Sequence, residues 1–160
     1  MIPDLACPPA AAAMEALFVL LLVIGAGWDI ARRRLPNWLN LAVAAAFIPW
    51  GLAMGIGIPG FVLALVAGVV CFGVGFALFH LRQMGAGDVK LIVAVALWTG
   101  FNIQLVRFLL YMGIAGGLLA AFFLFMRLVM KRDLGELPYG VAIVLSAFII
   151  KAGSTTCFVW

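Results

Sequence analysis

Two aspartates stand apart from the other acidic residues of this chain. The sequence contains six carboxylates, and Asp29 and Asp88 are the two that lie at the ends of strongly apolar segments. A carboxylate in such a place is costly to bury, so these two are the first candidates for a functional site. The others lie near a terminus, near a helix start or in a polar segment, where we expect water to hydrate them: Asp4, Glu15, Asp133 and Glu136.

Two carboxylates supply an acid and a base if the fold brings them together. In a water-poor site they do not easily both ionise, so one keeps a proton while the other stays charged. The charged group can deprotonate a water that attacks a peptide carbonyl, and the protonated group can polarise the carbonyl oxygen. This chemistry needs no metal, cofactor or nucleophilic side chain. Because coupled carboxylates titrate as a pair, the sequence assigns neither aspartate a separate role.

Asp29 ends the first apolar segment and is followed by three arginines. Its spacing to Arg32 and Arg33 is that of a helix-end ion pair, which contributes little to stability at a surface. Pro36 restricts the residue before it, and Asn37 can cap the next helix. The pattern predicts a helix, a basic turn and a second helix, and it leaves both a structural and a catalytic role open for Asp29.

Asp88 follows two glycines in the segment Gly85-Ala86-Gly87-Asp88. Glycine permits backbone conformations and close approaches that a side chain would forbid. Aspartate is also a common helix N-cap, so this short pattern by itself does not separate capping from catalysis. Lys90 would not share the helical face of Asp88, and we expect it to anchor the helix at the lipid headgroups.

The elements that must position these residues are membrane helices. The 160 residues are 68% hydrophobic and 10% charged, with a mean hydropathy of +1.28, which is far more apolar than a water-soluble domain. Backbone groups in lipid must be paired internally, so the apolar segments should be helical. We predict an all-α integral membrane protein, a bundle of about six transmembrane helices forming a single domain over residues 1–160. The expected spans are 12–28, 38–56, 61–81, 89–98, 105–129 and 141–159.

The basic residues indicate membrane orientation, and they do not form the single basic face of a nucleic-acid-binding protein. Most of them follow the first, third and fifth spans, whereas the opposite side has only Arg107 and Lys151. The positive-inside rule therefore predicts that the basic loops, and with them Asp29 and Asp88, face the cytoplasm while both termini lie outside. No Lys or Arg precedes the first apolar segment, so a cleaved signal peptide is not indicated.

The three cysteines are isolated and form no CxxC motif, so neither a zinc site nor a disulfide framework is indicated. Cys71 is interpreted as core packing. Cys7 and Cys157 fall on the same predicted outer side and can pair, although nothing in the sequence sets the distance between them.

Two pairs of glycines have the spacing of closely packed membrane helices, and His80 is interpreted as an interfacial residue at a helix end. The glycine pairs are Gly51 with Gly55 and Gly113 with Gly117.

Three segments, taken together and in this order, resemble the type IV prepilin peptidases. They are Asp29 with the basic run and Leu35-Pro36-Asn37, then Gly85-Ala86-Gly87-Asp88-Val89-Lys90, then Pro138-Tyr139-Gly140-Val141-Ala142. The match is closest to the small Tad/Flp-pilus type of these GxGD intramembrane aspartyl proteases, and it runs from the first span to the last.

The resemblance implies roles for seven residues. Asp29 and Asp88 would form the catalytic pair, and Gly85 and Gly87 would shape the backbone beside it. Pro138, Tyr139 and Gly140 would line or support the site. A proline that opens the sixth helix and an interfacial tyrosine are equally open interpretations of Pro138 and Tyr139.

The resemblance also implies an aspartic endopeptidase of the bacterial inner membrane. Such an enzyme removes the basic leader from prepilins and pseudopilins at the cytoplasmic face, uses no cofactor or metal, and has the lipid bilayer and the pilus assembly machinery as further partners. Larger members carry a cytoplasmic insertion with paired cysteines and methylate the new N-terminus. This chain has no cysteine quartet and only a short polar segment after its first span, so we expect cleavage without N-methylation.

Two other classes of function remain open on the sequence. A small proton- or ion-coupled transporter also carries membrane carboxylates and glycine-interrupted helices, but its charged groups are expected near the midplane, whereas Asp29 and Asp88 lie at span ends. A non-catalytic pilus-assembly subunit would tolerate the loss of either aspartate.

Overall fold

The structure is a computed structural model that describes residues 7–32, 35–130, 139–153 and 157. These residues form six helices and no strand, and four of the helices are long and apolar enough to cross a membrane. The prediction of an all-α membrane protein is confirmed. The helices are α1 Pro9–Arg32, α2 Asn37–Met54, α3 Gly57–His80, α4 Ala86–Thr99, α5 Ile103–Met130 and α6 Tyr139–Ala152.

The fourth and sixth helices are shorter than the others. Each has 14 residues, which at about 1.5 Å per residue is about 21 Å, less than the roughly 30 Å of a bilayer's hydrocarbon core. The sixth predicted span was too long at its C-terminal end, because α6 stops at Ala152 and a turn follows at Gly153. Both short helices begin at the end of the bundle that carries Asp88.

Aromatic residues fill the interior of the bundle where α1, α2 and α4 meet, toward the end opposite Asp88. The ring of Trp98 lies 4.4 Å from that of Phe18 and 5.3 Å from that of Trp50, measured between centroids. Phe47 contacts both tryptophans. The buried Trp98 Nε1 donates a hydrogen bond to the carbonyl oxygen of Val43 at 2.9 Å, so its polar edge is satisfied. These contacts fix the position of α4 against α1 and α2.

Small residues bring α3 close to α4, and the pairing of these two helices is the most extensive in the bundle. A Cβ placed on Gly75 would lie 2.7 Å from Val89 Cγ1, and one placed on Gly68 would lie 3.2 Å from Leu97 Cδ2. In lipid, helices associate through such close contacts because no hydrophobic drive acts between them.

The four glycines that were selected by their spacing in the sequence do not share one role in the structure. Gly51 packs as expected, because an added Cβ would lie 2.8 Å from Phe61 Cζ. Gly55 is instead the left-handed C-cap of α2, with φ of 65°. Gly113 and Gly117 have no atom of the described chain within 4 Å of a built Cβ, so the packing role expected for these three glycines is wrong within this chain.

The end of the bundle opposite Asp88 is held by a disulfide and a partly buried ion pair. Cys7 and Cys157 are bonded, with their Cα atoms 5.4 Å apart, which settles the pairing that the sequence left open. Glu15 pairs with Lys151 of α6 and accepts a hydrogen bond from Trp50 Nε1 at 3.0 Å. The expectation that water hydrates Glu15 was wrong: it is 5% exposed, because it lies two turns into α1 on the face that packs against the other helices. The third cysteine, in α3, is buried in the core as predicted.

Candidate active site

The antiparallel course of the helices places the two singled-out aspartates at the same end of the bundle. Asp29 lies in the last turn of α1, and Asp88 is the third residue of α4. The two carboxyl groups are close enough for their charges to interact. Two carboxylates that are distant in the chain therefore lie at the same end of the bundle, within range of each other's charge.

Asp29 is enclosed by the start of α6. Its side chain is 4% exposed, and the backbone N–H groups of Gly140 and Val141 lie near the carboxylate. The N-terminal turn of a helix favours a nearby negative charge, because its N–H groups have no partner within the helix. A Cβ on Gly140 would lie 2.6 Å from Asp29 Oδ2. Only glycine leaves room for the carboxylate in this position.

The ion-pair interpretation of Asp29 does not hold for Arg32. Within the described residues Asp29 makes no salt bridge. The Arg32 guanidinium lies 4.8 Å from the centroid of the Trp28 ring, in the geometry of a cation–π contact. The other candidate partner, Arg33, lies outside the described residues, as does Arg34.

Asp88 is not the N-cap of α4, so that structural interpretation is wrong. The N-cap is Gly85, in an extended conformation, and Asp88 belongs to the first turn. Its carboxylate reaches back toward the Gly85 backbone, and a Cβ on Gly85 would lie 2.9 Å from Asp88 Oδ2. A side chain that reaches back from the third helical position to the N-cap resembles half of a capping box. The side chain is partly exposed.

The start of α2 holds the glycine segment in place. Asn40 Nδ2 donates a hydrogen bond to the carbonyl oxygen of Gly87 at 3.1 Å, and Lys90 Nζ donates one to Asn37 Oδ1 at 2.8 Å. A Cβ on Gly87 would lie 3.1 Å from Leu35 Cβ and 3.3 Å from its carbonyl oxygen. The first and second motifs are therefore one structural unit, in which α2 supports the turn that presents the second aspartate.

Two details of this unit differ from the sequence expectation. Asn37 does not cap α2; the N-cap is Pro36, and no side-chain capping bond forms there. The amide oxygen of Asn37 instead accepts the bond from Lys90. Asn40 was not singled out from the sequence, although a polar residue one turn inside an apolar span was the available signal.

The third motif is divided between two roles. Gly140 lies against Asp29, as described above. The Tyr139 ring packs against α5, where a Cβ on Gly116 would lie 3.2 Å from Tyr139 Cε1. Through this contact the Tyr139 ring joins the start of α6 to α5. Pro138 lies outside the described residues.

Unpaired buried polar atoms collect at this end of the bundle. In the described part of the chain, Asp29 Oδ2 and Asn40 Oδ1 are buried side-chain atoms without a hydrogen-bond partner. The buried hydroxyls of Thr99 and Ser146, by contrast, donate to backbone carbonyls of their own helices. Buried polar atoms are normally paired, so orphan oxygens beside a carboxylate pair indicate a place where a water or a ligand binds.

Comparison with known families finds a match over most of the chain. Residues 16–124 match the model of the type IV leader peptidase family. The chain belongs to the type IV leader peptidase family. The family match and the apolar helices indicate a membrane-embedded peptidase. The matched region contains both aspartates and the α2 start that supports Asp88. The α6 start, with Gly140, lies beyond the matched region. A search of curated proteins found no match, and a search of solved structures found none.

Proposed function

We propose that this leader peptidase is an aspartic endopeptidase that removes the basic leader from Flp-type prepilins. The observation that carries the proposal is the buried Asp29 carboxylate, which has an unpaired oxygen and lies at the same end of the bundle as Asp88, within range of its charge. A pair of neighbouring carboxylates in a water-poor site supplies a base and an acid at once.

The reaction that this pair supports is direct attack by water. One carboxylate takes a proton from the water as the water oxygen bonds to the scissile carbonyl carbon. The protonated carboxyl group of the other aspartate donates a hydrogen bond to the carbonyl oxygen. When the tetrahedral intermediate breaks down, the carbon–nitrogen bond is cleaved and a proton passes to the leaving amine. The N-terminal turns of α4 and α6 lie beside the aspartates and stabilise the negative charge that the pair retains.

Two independent features support a cytoplasmic position for this end of the bundle. Four basic residues of the described chain lie at this end, as the positive-inside rule expects at a cytoplasmic face: Arg32, Arg82, Lys90 and Arg127. The Cys7–Cys157 disulfide lies at the opposite end, and disulfides persist in oxidising compartments such as the bacterial periplasm. Both features favour an inner-membrane enzyme with its termini outside and its aspartates facing the cytoplasm, where prepilin leaders are found.

The proposal is tested by co-expressing the chain with a Flp-type prepilin in cells that lack other prepilin peptidases. We expect the wild type to process the prepilin and the variants Asp29→Ala and Asp88→Ala to leave it uncleaved, while Asp4→Asn, which removes a carboxylate from the N-terminal tail, keeps full processing. Immunoblots of membrane fractions control for expression. Processing by either aspartate variant would point to a non-catalytic role, and failure of the wild type on several prepilins would direct attention to transport. Mass spectrometry of the mature product should find a free, unmethylated N-terminus.

A further inference from the structure

A groove on the membrane side of the bundle lies between α2, α3 and α4. Its volume is about 380 Å³, and it is open along one side. α2 and α3 both pack on α4 but make little contact with each other, which leaves the groove between them with α4 as its floor. α2 and α4 begin at the end of the bundle that carries the aspartates, so the groove opens close to the site and on another face of α4.

The lining of the groove is amphipathic along its length. Asn37, Asn40 and Lys90 line the end nearest the site, and Leu41, Phe72 and Val93 are among the apolar residues that line the remainder. The ammonium group of Lys90 is exposed and is held by the Asn37 amide oxygen. A ligand that matches this lining has an anionic group at one end and an apolar chain at the other.

Asn40 supplies a second, independent indication of a ligand. Its side chain is 4% exposed, its Nδ2 is engaged with Gly87, and its Oδ1 is buried without a partner in the described chain. A buried acceptor of this kind costs free energy unless a donor reaches it. The matching ligand therefore also carries a hydrogen-bond donor close to its anionic group.

We propose that the groove binds an anionic phospholipid of the phosphatidylglycerol type. The phosphate pairs with Lys90, a headgroup hydroxyl donates to Asn40 Oδ1, and one acyl chain lies along the apolar wall. Basic pockets between membrane helices on the cytoplasmic side are known to bind anionic lipid headgroups. The groove suits a lipid better than a peptide substrate, because Lys90, two residues after Asp88, points to another face of α4.

The bound lipid also acts on the site. Asn40 and Lys90 both belong to the contacts that hold the glycine segment against α2. A headgroup that bridges these two side chains stabilises the turn that presents Asp88, so anionic lipid raises the rate of peptide cleavage. This second step rests on the proposed function, whereas lipid binding itself does not.

Native mass spectrometry of the purified full chain measures binding without any peptidase assay. The protein is exchanged into phosphatidylcholine, and dipalmitoyl phosphatidylglycerol is then titrated in. We expect the wild type to retain phosphatidylglycerol in preference to phosphatidylcholine. Lys90→Gln should weaken retention about five-fold, the effect of one cation at a membrane surface, and Lys90→Arg should restore it. Ala44→Phe, which fills the groove, should abolish retention. Arg107→Gln, which removes an exposed cation from the opposite end, is the matched control and should retain the lipid.

Three outcomes would overturn the proposal. Equal retention of the two lipids by the wild type, or equal retention of phosphatidylglycerol by the wild type and Lys90→Gln, removes the specific site. A change in KM for a prepilin in Lys90→Gln that is the same in both lipids assigns the groove to the substrate instead. If prepilin is never cleaved but lipid retention follows the expected order, the lipid site stands and the proposed peptidase function fails.

Discussion

Replacing Gly140 by alanine should inactivate the enzyme while leaving its fold intact. The added Cβ would lie 2.6 Å from Asp29 Oδ2 and 2.8 Å from Asp29 Cγ, closer than such atoms can approach, so the carboxylate must move. The displacement needed to restore an ordinary contact of about 3.5 Å is about 1 Å. A misplacement of about 1 Å at a reacting group costs on the order of 10²-fold in rate.

Gly140→Ala should change the free energy of unfolding little, or raise it. Alanine is favoured over glycine inside a helix by about 1 kcal/mol, and Gly140 is the second residue of α6. Gly27→Ala is the matched control: this glycine lies half a turn before Asp29 on the same helix, and a Cβ there meets no atom within 4 Å. Gly140→Ala should lower kcat about 100-fold, with a melting temperature at or near that of the wild type. Gly27→Ala should have the kcat and the melting temperature of the wild type.

The assay is cleavage of a purified Flp-type prepilin by enzyme in proteoliposomes, followed under multiple-turnover conditions, with a thermal unfolding curve for each variant. If Gly140→Ala cleaves at the wild-type rate, Asp29 is not held where the reaction takes place. If it loses activity only in proportion to lost folded protein, the contact is structural.

Three further predictions follow from contacts elsewhere in the bundle. Asn40→Leu removes the hydrogen bond that supports the second glycine of the GxGD segment and should reduce kcat in the same assay by about 10-fold or less, the scale of one lost hydrogen bond of about 1 kcal/mol; an unchanged kcat would remove α2 from the support of the site. Cys7→Ser should lower the melting temperature of the oxidised protein, since a disulfide between chain ends restricts the unfolded state, and adding reductant to the wild type should reproduce the shift; a melting curve that neither change affects would argue against the disulfide. Gly75→Ala should destabilise the fold, because its Cβ would lie 2.7 Å from Val89 Cγ1, whereas Gly73→Ala, with open space around it, should not; equal melting temperatures for the two variants would contradict the close α3–α4 contact.

The course of the helices could be predicted well from the sequence. Long apolar runs in a chain this hydrophobic leave helices as the available membrane-spanning structure, and consecutive spans that cross in alternating directions place every second loop on one side. That is enough to bring Asp29 and Asp88 to the same end of the bundle. It does not determine which helices are neighbours, because hydropathy carries no information on the lateral order of helices in the membrane.

The missed contacts all depend on that lateral order. Glu15 lies near a helix start and was expected to be hydrated, yet it pairs with Lys151, 136 positions away in the chain. The support that Asn40 gives to the glycine segment likewise spans 47 positions. Gly140 entered through the family resemblance, and its close approach to Asp29 became visible only in the fold.

The placement of the helix ends also explains how a short chain can form the proposed site. α4 and α6 both begin at the end that carries the aspartates, and each brings a helix N-terminus to one of them. The opposite end, with the disulfide and the Glu15–Lys151 pair, joins the first helix to the last. These cross-links and the proposed site, which three helix ends form, therefore lie at opposite ends of the bundle.

The central claim is that Asp29 and Asp88 act as one unit to activate water. The most direct test is single-turnover cleavage of a purified prepilin by the wild type, Asp29→Asn, Asp88→Asn and the double variant. We expect each single variant to lose about 10³-fold or more, the double variant to lose little beyond that, and cleavage in H₂¹⁸O to place one ¹⁸O in the new carboxylate of the leader. Cleavage by either single variant at the wild-type rate, or losses that multiply in the double variant, would contradict a shared pair.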